Sequence, residues 1–176
     1  IPTPITYGSI EEFENNQDGI TFPVFVKPRT GSGSVGARTV KDQETLKELF
    51  AEDETLIIQE LMNELDLDAD VYVDTITNEV ISTFLKNKLE RKIGGANKTV
   101  SFRDDELSNF IKEIVSKFEF CGTINMDFFK KDGKYYLSEV NPRFGGGYIH
   151  TYEAGVDFIK YLINNSNGEK NSPEIG

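Results

Sequence analysis

The sequence predicts an α+β fold in which the strands are mostly antiparallel and the helices sit between them. Two observations predict it. Strand-like runs double back twice on turn residues, at Asn78-Glu79 and around Lys131-Asp132-Gly133. The element order is strand, loop, strand, helix, strand, then a hairpin, a helix and a second hairpin, which is not the strict alternation of a doubly wound sheet. No internal repeat and no clean linker divide the chain.

The first nineteen residues are turn-rich and polar, with a short helix expected over residues 9–15. Residues 21–27 (TFPVFVK) read as a buried strand that stops at Pro28. A loop over residues 29–36 leads to residues 37–40, too short for a helix and β-branched at the end. Asp42-Gln43-Glu44 caps a helix through about Glu52, with Leu46, Leu49 and Phe50 at helical spacing. Strands follow at residues 55–59, 71–77 and 80–86, then a loop over residues 88–98 carrying Gly94-Gly95 and several cations. Asp104-Asp105 starts a helix to about Phe118, whose apolar face is Leu107, Phe110, Ile111, Ile114 and Val115. Strands at residues 123–130 and 135–140 flank Lys131-Asp132-Gly133. A glycine run at residues 145–147 precedes a last helix at about residues 157–164, and the polar tail from Asn165 is expected to fray.

Composition excludes several classes. No stretch approaches the roughly 20 apolar residues that span a bilayer. The opening Ile1-Pro2-Thr3-Pro4 has no signal-peptide character and no initiator Met, which suggests a start inside a longer protein. Cys121 is the single cysteine, so it forms no internal disulfide, and its apolar context reads as a buried strand residue. The net charge of −11 argues against a nucleic-acid partner. An anionic ligand would then be held by local cations beside glycine loops.

Gly31-Ser32-Gly33-Ser34-Val35-Gly36 matches G-x-G-x-x-G and follows a strand. A dinucleotide-binding loop opens directly into a helix, whereas this one runs into Ala37-Arg38-Thr39-Val40. A Walker A loop fails because Ala37-Arg38 stands where Lys-Ser/Thr is required. A protein kinase fails because the only histidine, His150, precedes Thr151-Tyr152 rather than Arg-Asp. A glycine loop between two strands remains, a flap whose backbone amides can close on phosphate oxygens. Lys27 precedes it, and a lysine in an apolar strand is costly unless something anionic meets it. The bland alternative is a strand-end lysine whose stem lies along apolar surface.

The second constellation is a hairpin. Asn125 and Asp127 share one face of the first strand, and Glu139 and Asn141 share one face of the second. A three-residue loop at residues 131–133, with Gly133 as bulge residue, would set Asn125 opposite Glu139 and Asp127 opposite Leu137. Asp127 and Glu139 would then be diagonal neighbours about 7–8 Å apart. A two-residue Asp132-Gly133 turn would put the two pairs on opposite faces. Oxygen ligands of this kind suit Mg²⁺, whereas no twelve-residue EF-hand loop occurs for Ca²⁺. A solvated acidic face is the competing reading.

Together these segments resemble the ATP-grasp superfamily, most of all members like the large subunit of carbamoyl-phosphate synthase, with D-alanine–D-alanine ligase and biotin carboxylase further off. The carrying residues are FPVFVKP at 22–28, GSGSVG at 31–36, IIQEL at 57–61, DVYVD at 70–74, GTINMDF at 122–128 and EVNPRFGGG at 139–147. The last is the most specific, and the resemblance spans roughly residues 20–160. It implies an ATP-grasp fold, with a small lobe over residues 1–60 and a large lobe over residues 61–176 gripping ATP between them. By the same resemblance Lys27 binds the α- and β-phosphates and the flap closes over the β- and γ-phosphates. Gln59, Glu60, Leu61 and Met62 form the adenine hinge, and Asp70 meets the ribose, with Asp68 as its rival. Asp127, Glu139 and Asn141 hold metal, Arg143 stabilises the transferring phosphoryl group or holds the carboxylate, and Asn125 stands nearby. A further phosphate-contacting cation would be Lys86, Arg91 or Lys92.

The activity implied is a ligase using ATP and one or two Mg²⁺ ions, or Mn²⁺, to activate a carboxylate as an acyl phosphate that an amine or thiol then displaces. A phosphotransferase that stops at phosphorylation and a non-catalytic nucleotide-binding module are the rivals. The implied partners are those small molecules and an N-terminal domain of the same chain, with a homodimer as a further candidate. Neither nucleic acid nor membrane is expected, and the implied location is the cytoplasm.

Overall fold

Valines alternating with other residues give the first sheet its buried side. In the computed structural model, Val24 and Val26 of one strand and Ile58 of its neighbour are fully buried. The structure describes residues 1–16, 19–31, 34–92 and 95–173, with the backbone alone for Arg91, Lys92 and Gly95. The chain divides into two units, Thr3–Asn63 and Glu64–Gly176 with Ile1–Pro2.

The first unit runs β1 (Thr6–Tyr7), α1 (Ile10–Asn15), β2 (Val24–Pro28), β3 (Arg38–Val40), α2 (Gln43–Glu52) and β4 (Leu56–Glu60). Its four strands pair antiparallel in the order β1-β4-β2-β3. Ser9 and Asp42 cap the two helices by accepting from Glu12 N and Thr45 N, which satisfies amides that a helix start leaves bare. Leu46 and Leu49 of α2 and Phe13 of α1 pack on Val24, Val26, Val40 and Ile58.

The second unit runs β5 (Leu65–Val73), β6 (Val80–Lys92), β7 (Gly95–Phe102), α3 (Asp105–Phe118), β8 (Gly122–Lys131), β9 (Lys134–Asn141), α4 (Tyr148–Glu153) and α5 (Phe158–Ser166). Its five strands are also antiparallel, in the order β7-β6-β5-β8-β9. Leu67, Ala69 and Val71 of β5 and Ile124, Met126 and Phe128 of β8 point to one face, where Leu107, Ile111 and Ile114 of α3 cover them. The opposite face carries Tyr72, packed with Ile81, Phe158 and Tyr161. Farther along it come Asp70, Asp68, Asn125 and Asp127. An all-antiparallel sheet with helices on its faces is the α+β architecture that the sequence predicts.

Several expectations change. Strand β5 starts at Leu65 rather than Val71, because Asp66, Asp68 and Asp70 occupy its polar face at period two and hide its apolar one. Within the loop expected at residues 88–98, residues 88–92 and 95–98 pair as the arms of β6 and β7, bulged around Glu90, and residues 93 and 94 lie outside the described residues; the charged strands carry no apolar alternation to read. Residues 74–79 form a loop closed by Asn78 N to Asp74 O and Asp74 N to Glu79 O, not a two-residue turn. Cys121 is exposed rather than buried. Asn171 is buried, and its backbone amide and side chain both donate to Asp74 Oδ2, so the tail is held at that point rather than frayed.

Candidate functional site

The β8–β9 hairpin departs from the expected register in an informative way. Asp132 (φ 50°) and Gly133 (φ 74°) are both left-handed and Lys131 pairs with Lys134, which is a two-residue turn. A regular ladder from that turn would set Glu139 opposite Met126, on the helix-covered face. The ladder instead steps from Phe128↔Leu137 to Asp127↔Glu139, leaving Ser138 as an extra residue. This bulge keeps Leu137 with the core and returns Glu139 to the polar face. The expected pairing is therefore corrected: Asp127 stands directly opposite Glu139, and Asn125 opposite Asn141.

The neighbouring strands extend this face. Asp68 pairs with Asp127 and Asp70 with Asn125 across β5 and β8, and Asp68 pairs with Lys86 across β5 and β6. Lys88 Nζ reaches over β5 to Asp127 Oδ1 at 2.7 Å and Asp66 Oδ1 at 3.3 Å. Burial works against the Lys88 ammonium, but Asp127 and Asp66 outweigh it and hold its pKa above the ordinary lysine value. Burial raises Asp127, and Asp68 and Asp66 add to the rise against the pull of Lys88. Carboxylates on this face exceed the cations that serve them.

Among the described residues no three His, Cys, Asp or Glu side chains are grouped to hold a metal. The donor set here is two facing carboxylates, Asp127 and Glu139, with the Asn141 amide beside them. Oxygen donors short of positive charge fit a hard divalent cation that keeps much of its shell as water or phosphate. Asn141 Oδ1 accepts from Arg143 Nη2 at 3.1 Å, so the Arg143 guanidinium stands at the end of this set.

Three residues named from the sequence, Asp70, Asp68 and Lys86, are buried together. Asp70 is 1% exposed; its Oδ2 accepts from Lys86 at 2.6 Å and Thr151 Oγ1 at 2.5 Å, and its Oδ1 from Asn125 Nδ2 at 3.1 Å. Both Asp70 oxygens are thus engaged and buried in this structure. Its rival Asp68 is buried too, accepting from Asn125 Nδ2 and pairing with Lys86. Burial pushes the Asp68 carboxyl up, Lys86 draws it back and Asp70 adds to the rise. Lys86 is 0% exposed and pairs with both acids. The side chains of Arg91 and Lys92 lie outside the described residues.

In the first unit, Lys27 is the penultimate residue of β2, half-buried opposite Ile57, and makes no ion pair among the described residues. Gly31, Ser34, Val35 and Gly36 are exposed, while Ser32 and Gly33 lie outside the described residues. Ser34 (φ 59°) and Gly36 (φ 78°) are left-handed, and Ala37 N donates to Ser34 O. The Gln59 side chain is buried and donates to Thr6 Oγ1. Glu60 accepts from Ile5 N through Oε2, Leu61 is half-buried and Met62 buried.

Sequence reasoning missed Lys88 and Thr151. Lys88 was legible in one respect: it lies two residues after Lys86, as Asp66 lies two before Asp68, so facing strands bring cations to acids. Nothing in the sequence flagged Thr151.

An antiparallel sheet bearing a strand-flanked glycine loop, followed by an antiparallel sheet with an acid-and-amide hairpin, is the ATP-grasp fold. The chain belongs to the ATP-grasp domain family, which matches its residues 1–147. It is similar to a D-alanine–D-alanine ligase of Acetivibrio thermocellus, 26% identical over 184 aligned residues, covering 89% of this chain and 48% of the ligase. Among solved structures it resembles the N5-carboxyaminoimidazole synthetase of Staphylococcus aureus complexed with ADP, with a TM-score of 0.78 and 21% identity over 99% of this chain and 49% of that one. It also resembles the biotin carboxylase domain of Hydrogenobacter thermophilus 2-oxoglutarate carboxylase, solved with MgADP and bicarbonate, with a TM-score of 0.79 and 18% identity over 96% of this chain and 42% of that one. The chain spans about half the length of the curated relatives it matches. Among the described residues no helix is long and apolar enough to cross a membrane.

Proposed function

We propose that this chain is the nucleotide- and metal-binding part of a Mg-ATP-dependent ligase that activates a carboxylate as an acyl phosphate for attack by an amine or thiol. The observation that carries the reading is the facing pair Asp127 and Glu139, with Asn141 beside them and Arg143 on Asn141. The relatives named above, a D-alanine–D-alanine ligase among them, support the ligase class. They lend no support to a placement beside carbamoyl-phosphate synthase, so the reading commits only to the shared chemistry.

Lys27, half-buried and without an ion pair among the described residues, would meet the α- and β-phosphates. The amides of the glycine loop would close over the β- and γ-phosphates, since glycines leave them accessible. The hinge at residues 59–62 would read adenine through its backbone, because the Gln59 side chain is engaged with Thr6. Asp127, Glu139 and Asn141 would hold one or two Mg²⁺ ions, which supply charge neutralisation to the polyphosphate. Lys88 is the described cation best placed to serve the transferring phosphoryl group, being already on Asp127. Arg143 would steady that group or the attacking carboxylate by charge-assisted hydrogen bonds. The test is ADP release by the full natural chain against panels of carboxylates and amines. ADP formed only when a carboxylate is present, with amide or thioester as product, supports the reading. A stable phosphate ester as the product would assign a phosphotransferase instead.

A further inference from the structure

The segment after β9 carries Asn141 and Arg143 and then turns through three glycines into α4. Its own backbone bonds are local: Arg143 N to Asn141 O, Tyr148 N to Gly145 O and His150 N to Gly147 O. What ties the turn to the sheet is a buried polar cluster. Lys86 Nζ, held by Asp70 at 2.6 Å and Asp68 at 3.0 Å, also reaches Gly147 O at 3.5 Å. Thr151, fully buried in α4, donates to the same Asp70 oxygen. Gly145 lies so close that a Cβ there would come within 2.5 Å of Asn125 Nδ2 and 2.7 Å of Asp70 Oδ1. α4 is also held beyond the turn, by Thr99 Oγ1 and His150 Nδ1 at 2.7 Å, by the Phe84–His150 ring contact and by Tyr148, whose ring packs on Phe158 and whose hydroxyl accepts from Phe158 N.

We propose that Asp70, Lys86 and Thr151 are positioning residues that clamp the glycine turn onto β5, β6 and β8 and so set where Asn141 and Arg143 stand. The inference rests on the site reading above and gives Asp70 a different task from the ribose contact that the resemblance implied. Buried ion pairs are poor sources of net stability against apolar replacements, but losing one partner is costly. Such a cluster therefore tolerates few alternative arrangements of the loop that it holds. Only three residues lie between Asn141 and Gly145, so a displaced turn moves both the amide and the guanidinium.

The test uses Thr151→Val in the full natural chain, which removes one hydroxyl donor with little change of shape. Asp74→Asn serves as a destabilised control in the same unit that does not touch the turn, and Thr151→Ser as the conservative rescue. In Thr151→Val, amides over residues 141–147 should exchange about tenfold faster than in the wild type, and those of α3 should not. Its kcat for ADP release should fall roughly tenfold while the KM for ATP stays within about twofold, since a small misplacement of acting groups costs rate. Thr151→Ser should restore both, whereas Asp74→Asn should leave kcat unchanged and speed exchange across the unit, in α3 at least as much as over residues 141–147. Unchanged exchange over residues 141–147 overturns the clamp whatever the activity. Faster exchange with unchanged kcat overturns its positioning role. A wild-type protein that neither binds nor turns over Mg-ATP overturns the underlying site reading, and with it the role proposed here. That failure is told apart by appearing before any substitution.

Discussion

Replacing Asp74 by Asn should remove a large share of the stability of the second unit. Asp74 is fully buried and accepts five hydrogen bonds: Oδ1 from Ile76 N and Thr77 N, Oδ2 from Asn165 Nδ2, Asn171 N and Asn171 Nδ2, all at 2.8–3.0 Å. Burial opposes the carboxylate, but the bonds from Asn165, Asn171, Thr77 and Ile76 outweigh it and hold its pKa far below the ordinary carboxylate range. An Asn side chain can keep the two Oδ1 bonds but sets an amide against three donors. Bonds to a charged acceptor are worth about 1.5–3 kcal/mol each and are not additive, so the loss is about 3–5 kcal/mol. For a protein of this size that lowers Tm by roughly 10 °C. Linkage gives the sign of the pH effect. A depressed folded-state pKa contributes stability that is fully present above the unfolded value of about 3.9 and is lost as pH falls toward the folded value. Urea unfolding of wild type and Asp74→Asn at pH 7, 5, 4 and 3, followed by far-UV circular dichroism, makes the comparison. The gap between the two should be widest at pH 7 and narrow below pH 4. A gap under about 1 kcal/mol at pH 7, or one that does not narrow in acid, would refute the reasoning.

Other substitutions test other parts. Lys86→Met strands two buried carboxylates and should cost about 3–5 kcal/mol in urea unfolding at neutral pH, far more than its near-isosteric shape suggests. Gly145→Ala forces a methyl into Asn125 and Asp70 and should lower stability by about 1–3 kcal/mol, read as a Tm shift. Cys121, exposed in the structure, should react with a thiol reagent in the native protein nearly as fast as in urea; slow native labelling would contradict its placement.

The α+β architecture was legible where apolar periodicity is strong. Leu107, Ile111 and Ile114 marked α3, and Asp42 and Asp104 marked helix starts by chemistry that depends only on local backbone amides. The β6–β7 hairpin was hidden because an edge arm rich in Lys, Arg and Glu alternates charge rather than hydrophobicity. The start of β5 was hidden for a related reason, since Asp66, Asp68 and Asp70 look like loop residues until Lys86 and Lys88 are set beside them. The pairs Asn125/Asp127 and Glu139/Asn141 could be named from residue type and spacing, and the resemblance picked Asp127, Glu139 and Asn141 from them, but their alignment depended on a bulge at Ser138 that no residue preference announces. Asp70 shows the limit of a motif, because an acid at that position looks the same in sequence whether it meets a ligand or, as in this structure, a buried lysine.

In the function proposed above, Asp127, Glu139 and Asn141 form a cation site serving a nucleotide. Calorimetric titration of the chain with ATP, with and without Mg²⁺, tests it most directly when repeated on Glu139→Gln. The variant is nearly isosteric and removes one charge from an exposed side chain, so folding should be unaffected. Wild type should bind ATP at least about tenfold more tightly with Mg²⁺ than without, and Glu139→Gln should lose most of that difference while keeping the metal-free affinity. Equal affinity with and without Mg²⁺ in the wild type, or an undiminished Mg²⁺ effect in Glu139→Gln, would contradict the cation site.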